Sequence, residues 1–125
     1  MLEVYLKRYP QDHNLERRFK ITNLIKKNIT ALILAAGKSS RMQGKNKLLE
    51  IIGKEEMIRI VVKETLKSDI DEVIIVTGHD DKKIRNSLKN LPVKYIQSKN
   101  FSNGIGNSIS SGIRSLSKVI DGVII

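Results

Sequence analysis

Apolar residues from position 30 onward fall into two kinds of pattern that alternate along the chain. Short apolar runs occupy residues 31–35, 72–77, 92–97 and 122–125. Such runs are typical of buried parallel strands, and Gly37 and Gly78 close the first two. A further apolar segment, residues 48–52, stops at Gly53. The pattern therefore predicts four main strands.

Between these runs, apolar residues recur every three or four positions, which is the spacing of one helix face. The first such stretch, residues 54–68, carries Ile58, Val61, Val62, Thr65 and Leu66 on that face. The second, residues 80–88, carries Ile84 and Leu88, and the third, residues 103–117, carries Ile105, Ile109, Ile113 and Leu116. These stretches predict three helices, with Gly104 and Gly106 favouring an irregular turn before the last one.

The alternation of strand and helix predicts an α/β fold, a Rossmann-like parallel sheet with helices on both faces. Ligands of such sheets bind beyond the carboxyl ends of the strands, which directs attention to the loops 36–47, 77–80 and 97–108. Residues 1–29 have a different character, mixing charged and apolar positions around Tyr9 and Pro10. They are interpreted as a basic linker or the tail of an upstream domain, whereas residues 30–125 form the main domain.

Charge and composition exclude several classes of protein. The absence of Cys excludes a disulfide scaffold and a thiolate metal site, and suits a cytoplasmic location. No apolar run approaches the roughly 20 residues that span a membrane. The net charge of +10 favours polyanions or a lysine-rich solvated surface. Because aromatics make up only 4% of the chain, with no stacking pattern, no nucleic-acid partner is expected.

The loop of residues 36–47 combines the features that suit a triphosphate. It follows Ala35 and begins with Ala36 and Gly37, whose small size lets a ligand approach the backbone. Hydroxyl groups come from Ser39 and Ser40, and positive charges come from Lys38, Arg41, Lys45 and Lys47. The other interpretation is a tight turn with solvated lysines. The loop matches neither the Walker pattern nor the dinucleotide fingerprint.

The segments 34–42 and 46–49 resemble the signature of the MobA-like nucleotidyltransferases, and within them most closely the molybdenum cofactor cytidylyltransferases. Further similarities follow in order along the chain, at Gly53, Lys54, Met57, Ile58, 76–79, Asn100, Phe101, Gly104, Ser108 and Gly112. The resemblance covers about residues 30–125. It implies a nucleotide-diphospho-sugar-transferase type of fold that is incomplete at its C-terminal end.

The resemblance also implies an activity, the transfer of a nucleoside monophosphate from an NTP to a phosphorylated acceptor with release of pyrophosphate. It assigns nucleotide binding to Leu34, Ala35, Ala36, Gly37, Lys38, Ser39, Ser40, Gly78 and Ser108. It assigns the catalytic stabilisation of phosphate charge to Arg41 and Lys47. The Ala-Ala-Gly form of the loop resembles CTP users, with molybdopterin as acceptor, while related enzymes with this form act on sugar or isoprenoid phosphates.

The main departure from the family concerns Mg²⁺. The family has a Gly-Asp pair after a strand like residues 122–125, and its Asp binds the metal, whereas Asp121 precedes that strand and is expected at its opposite end. The resemblance therefore implies that this chain alone is inactive, and a non-catalytic nucleotide-binding fragment is the alternative. Two roles stay open: His79 as a site residue or as a cap for the helix from Asp80, and Ser108 as a nucleotide contact or a packing residue.

Overall fold

The computed structural model describes residues 27–37, 45–99, 104–116 and 119–125. Its strands and helices, in chain order, are β1 Ile29–Ala35, β2 Ile51–Ile52, β3 Glu55–Glu56, α1 Met57–Lys67, β4 Glu72–Thr77, α2 Asp81–Ser87, β5 Lys94–Gln97, α3 Ile105–Arg114 and β6 Gly122–Ile124. A short 3-10 helix, Lys47–Leu49, precedes β2.

The described strands form a four-stranded sheet in the order β5-β4-β1-β6, and all three neighbouring pairs are parallel. The register of the central pair runs from Thr30 opposite Glu72 to Ala35 opposite Thr77. The carboxyl ends of β1 and β4 therefore lie side by side at one edge of the sheet. The same edge receives the start of α2, since only residues 78–80 separate it from the end of β4.

Helices cover both faces of this sheet, as the sequence predicts. On one face a buried cluster joins alternate residues of β1 and β4 to α1 and α2; its members are Ala31, Ala35, Ile58, Val62, Val73, Ile75, Ile84 and Leu88. On the other face, the side chains of Leu32 and Val76 lie against α3 at Gly112. The predicted fold class, a parallel sheet with helices on both faces, is confirmed.

A β-hairpin takes the place of the first turn of the predicted helix 54–68. Strand β2 pairs antiparallel with β3 across Gly53, whose φ of +69° is in the left-handed region that favours glycine. The amide of Met57 donates to the carbonyl of Glu50 at 2.9 Å and closes the hairpin. Helix α1 consequently begins at Met57, and the apolar segment 48–52 is divided between the 3-10 helix and β2.

The predicted apolar face of α1 is only partly buried. Ile58 and Val62 are buried and Leu66 packs against the core, but Val61 is 44% exposed. Val61 lines an open apolar cavity of about 550 Å³ together with Ile124 and Ile125 at the β6 edge of the sheet. The prediction for Val61 was wrong because the described part of the chain places α1 over β1 and β4 and leaves this cavity open.

The predicted apolar face of α3 is also only partly buried, with Ile109 and Leu116 half-buried. Ile105 is 70% exposed and Ile113 is 49% exposed, whereas the buried residues of this helix are Ser108 and Gly112. A Cβ atom at Gly112 would come within 3.0 Å of both Leu32 and Val76. The helix therefore packs through its small residues, because its backbone lies too close to the sheet for larger ones.

The predicted bounds of the later strands and the predicted burial in α2 agree closely with the structure. Strand β4 has the predicted bounds, Ile84 of α2 and Leu88 directly after it are fully buried, and β5 begins at Lys94 rather than at residue 92. None of the helices in the described ranges is long and apolar enough to cross a membrane. The predicted linker of residues 1–29 falls almost wholly outside the described residues.

Candidate functional site

A cavity of about 290 Å³ lies at the carboxyl end of β1, where that strand meets the start of α3. Its lining residues are Leu34, Ala36, Gly37, Gly104, Ile105 and Ser108. The first three come from the end of β1 and the loop that follows, and the other three come from the first turn of α3. Two segments about seventy positions apart in sequence thus form one concave surface, where parallel sheets place their ligands.

The wall of this cavity has space for close approach to the backbone. A Cβ atom built at Gly37 or at Gly104 would meet no other atom within 4 Å. Gly104 has a φ of +99°, a conformation that strains any residue with a side chain and that agrees with the irregular turn predicted there, whereas Gly106 lies within α3 and takes no part in that turn. The space beside these glycines is therefore available to a ligand.

The N-terminus of α3 contributes a favourable environment for an anion. In the described part of the chain, the N-cap residue Gly104 makes no side-chain capping bond, and the first turn contains no acidic residue. The first amides of a helix have no acceptor within the helix and carry part of the positive end of its dipole. Ser108, one turn further on, is buried at 4% exposure beside the cavity. Phosphate groups suit such a helix end.

The end of β4 is held by a network around Asp81. The hydroxyl of Thr77 donates to the carboxylate of Asp81, and Nε of Arg85 lies 2.9 and 3.0 Å from its two oxygens. Burial acts to raise the pKa of Asp81, but these donors from Thr77 and Arg85 prevail and hold it below its ordinary value. The Arg85 guanidinium also lies over the ring of Tyr95, 4.6 Å from its centroid. Asp81 is therefore already engaged in structural contacts.

Asn46 fixes the returning end of the loop 36–47. Its side-chain oxygen accepts from the amide of Leu48 at 3.0 Å, and its amide nitrogen donates to Asp80 at 2.9 Å. The exposed residue Lys47 follows directly and begins the 3-10 helix. The preference of Asn for such turns is a local signal for the contact with Leu48, but no local pattern indicates the contact with Asp80.

The structure brings together four of the residues predicted to bind nucleotide, namely Leu34, Ala36, Gly37 and Ser108. Ala35 belongs instead to the buried core under α1 and α2, and Gly78 is buried at the end of β4. Lys47 lies on the separate 3-10 helix. Lys38, Ser39, Ser40 and Arg41 fall outside the described residues, so their roles stay predictions.

Two other predictions concern the ends of the strands. The N-cap position of α2 belongs to Asp80, so His79 is not the cap. Asp121 lies at the amino end of the sheet, as expected, since its carboxylate accepts from the amide of Asn28 at 2.7 Å.

The described residues do not fit a Mg²⁺ site. Within the ranges that the structure describes, no group of three His, Asp or Glu side chains is placed to hold a metal ion. The carboxylates at the carboxyl edge are committed elsewhere, Asp80 to Asn46 and Lys83, and Asp81 to Thr77 and Arg85.

Comparison with known proteins assigns the family. The profile of the MobA-like NTP transferase domain matches residues 31–125. The chain belongs to the MobA-like NTP transferase family. The match begins at β1 and extends through β6, so it includes every segment that lines the cavity.

Individual relatives support a nucleotidyltransferase in this family. The bifunctional protein GlmU of Francisella tularensis subsp. novicida is 32% identical over 69 residues, which cover 54% of this chain and 15% of GlmU. A nucleotidyl transferase from Methanothermobacter has a similar structure, with a TM-score of 0.68 and 27% identity over 74% of this chain and 47% of its own.

A third relative is the 4-diphosphocytidyl-2C-methyl-D-erythritol synthase of Anaerococcus prevotii, with a TM-score of 0.62 and 25% identity over 78% of this chain and 41% of the synthase. The chain thus spans less than half the length of each of these three relatives. These likenesses establish the nucleotidyltransferase type of fold and family, and they do not single out the molybdenum cofactor cytidylyltransferases.

Proposed function

We propose that this chain binds the nucleoside triphosphate of a nucleotidyltransferase reaction, and that CTP is the preferred nucleotide. The observation that carries the proposal is the cavity at which the end of β1 meets the N-terminus of α3, where the N-cap residue is Gly104. Its volume of about 290 Å³ is near the lower end of ordinary ligand pockets, which suits part of a nucleotide. The exposed glycine backbone and the helix amides are the groups that bind phosphate in such sites.

The proposed reaction moves a nucleoside monophosphate to a phosphorylated acceptor. An oxygen of the acceptor phosphate attacks the α-phosphorus of the NTP, a new P–O bond forms, and the bond to the leaving pyrophosphate breaks. The backbone of residues 34–40 would hold the nucleotide, while Arg41 and Lys47 would offset the charge that develops on the leaving pyrophosphate. Since the acceptor phosphate is itself the nucleophile, no protein base is required.

The preference for CTP rests on two kinds of support. Residues 35–37 read Ala-Ala-Gly, the form that resembles CTP users. One structural relative is named for a diphosphocytidyl product, which is in keeping with the same choice. Molybdopterin is the acceptor that the sequence resemblance favours. A sugar or isoprenoid phosphate is the second candidate, because the same relative is named for a methylerythritol product.

Nucleotide titrations test this proposal. Calorimetry with CTP, GTP and ATP in the presence of Mg²⁺ is expected to show binding, strongest for CTP. Lys47→Ala and Arg41→Ala should each weaken it roughly tenfold or more, because each removes a charged partner of the phosphates. Lys89→Ala is the matched control, since Lys89 is an exposed lysine beyond the far end of α2.

The outcomes separate the alternatives. Absence of binding to all three nucleotides would refute the proposal. Binding without pyrophosphate release, in the presence of candidate acceptors, would favour the non-catalytic nucleotide-binding alternative.

A further inference from the structure

The returning end of the loop 36–47 is tied to the end of β4 by a pair of partly buried polar side chains. Asn46 is 9% exposed and the side chain of Asp80 is 11% exposed. The amide nitrogen of Asn46 donates to Oδ2 of Asp80 at 2.9 Å. This contact joins residues that are 34 positions apart and belong to the loops after β1 and β4. The two loops at the carboxyl edge are therefore mechanically linked.

The partner at Asp80 determines which way the Asn46 amide faces. A carboxylate only accepts hydrogen bonds, so the nitrogen of Asn46 must face Asp80, and its oxygen is then directed to the backbone. That oxygen accepts from the amide of Leu48 at 3.0 Å, while the Asn46 carbonyl accepts from the amide of Leu49 at 3.0 Å. Asp80 thus selects the orientation of Asn46 that caps the 3-10 helix.

Lys47 is the residue whose position depends on this arrangement. Its carbonyl accepts from the amide of Glu50 at 3.2 Å, and the next two residues, Leu48 and Leu49, pack against the core. The turn is consequently held by apolar contacts on its inner side and by Asn46 at its start. Lys47, lying between these two anchors, is exposed and free of the packing that holds its neighbours.

The contacts of Asp80 point to this role rather than to helix capping. Asp80 occupies the N-cap position of α2, yet its side chain makes no capping hydrogen bond there. Its other charged neighbour is Lys83, whose ammonium lies 3.6 Å from Oδ1 and whose side chain is 72% exposed. An ion pair at that distance, with its lysine largely in solvent, contributes little. The short, partly buried bond to Asn46 is the contact that shapes the backbone.

We infer that Asp80 is a positioning residue for the nucleotide site, acting through Asn46 to fix the turn that presents Lys47. The inference rests on the proposed function, because it assumes that Lys47 binds the triphosphate and assigns to Asp80 the positioning of Lys47. Asp80 touches no substrate in this role. Its effect on nucleotide affinity should therefore pass entirely through Lys47.

A mutant cycle on the full 125-residue chain tests this dependence. Asp80→Ala is expected to weaken CTP binding by on the order of tenfold, and Asp80→Asn, which keeps an acceptor oxygen, should restore part of the loss. In the Lys47→Ala background, Asp80→Ala should cause no further loss. Asp121→Ala is the control, since this carboxylate accepts a hydrogen bond from the backbone amide of Asn28 but lies at the amino end of the sheet.

Hydrogen exchange without nucleotide gives a second, independent measurement. In Asp80→Ala the amide of Leu48 should exchange at least several-fold faster than in the wild type, while the amides of Ile75 and Val76 in β4 should be unchanged. Unaltered protection of Leu48 would overturn the inference, even if the variant bound CTP weakly. An Asp80→Ala loss of equal size with and without Lys47 would also overturn it, because that result indicates a general structural effect.

The two proposals fail in different ways. If the wild-type chain bound no triphosphate, the proposed function would fail and the positioning role would fall with it. If the wild type bound CTP and Asp80→Ala bound it equally well, only the positioning role would be refuted.

Discussion

At the scale of single residues, Asp81 shows how a carboxylate at the carboxyl edge is removed from ligand chemistry. Its side chain is 15% exposed and is engaged by Thr77 and Arg85. Burial raises the pKa of Asp81, but the hydrogen bonds from Thr77 and Arg85 lower it by more than burial raises it. The charged form is therefore favoured in the folded state. This network joins the end of β4 to the first two turns of α2, and through Arg85 to Tyr95 of β5.

The lowered pKa of Asp81 predicts a pH dependence of stability. Because the folded-state pKa lies below the ordinary value of 3.8, Asp81 stabilises the fold fully above that value, and the contribution is lost as pH falls through the folded-state pKa. Asp81→Asn should therefore be less stable at pH 7. Its free energy of unfolding should also fall less steeply than that of the wild type from about pH 5 to about pH 3.

Urea unfolding at a series of pH values measures this difference. Asp69→Asn, in the exposed segment after α1, shows the effect of removing one negative charge alone. Parallel pH profiles for Asp81→Asn and the wild type would contradict the assignment.

At the scale of elements, α3 is defined by how closely it approaches the sheet. Its buried side consists of Ser108 and Gly112, and the hydroxyl of Ser111 lies 3.4 Å from that of Ser98 at the end of β5. Close packing brings the N-terminus of α3 beside Gly37, and this contact completes the cavity. The same small residues therefore serve both the packing of the helix and the shape of the candidate site.

The close approach of α3 predicts opposite effects for two glycine substitutions in the same helix. Gly112→Ala should destabilise the fold by about 1–3 kcal/mol, because its Cβ would meet Leu32 and Val76 at 3.0 Å. Gly106→Ala, where a Cβ meets nothing within 4 Å, should be neutral or stabilise by up to about 1 kcal/mol. Chemical denaturation of both variants checks the pair. Equal stability of Gly112→Ala and the wild type would show that α3 lies further from the sheet.

At the scale of the whole molecule, the net charge of +10 acts on every polyanion and not only on a nucleotide. The candidate site differs from this general field in its geometry, since the cavity has defined walls and the charge of Lys47 lies on a fixed turn. The two kinds of binding should therefore respond differently to salt and to substitution.

Salt titration separates these two kinds of binding. Association with a short DNA duplex should weaken by at least tenfold between about 50 and 200 mM salt and should be almost insensitive to Lys47→Ala. CTP binding should survive the higher salt and depend on Lys47. DNA binding that persisted at high salt and was lost in Lys47→Ala would instead support a nucleic-acid-binding module.

The strands and the fold class were largely predictable from the sequence. Continuous apolar runs mark buried parallel strands wherever the sheet is covered on both faces, and β4 is recovered with the predicted bounds. The small residues and cations of the loop 36–47 and the order of the family motifs are likewise local properties. They were sufficient to predict the family that the profile match confirms.

The tertiary structure alone decided which residues face one another. Helical spacing predicts that Val61 and Ile113 lie on buried faces. In the structure, Val61 of α1 lies beside an open cavity, and α3 packs its small residues against the sheet, so that Ile113 is exposed. The contact of Asn46 with Asp80 has no local signal, because it joins two loops through the parallel pairing of β1 and β4. Local sequence sets the period and the apolar content of each element, whereas burial and partnership depend on how distant elements pack.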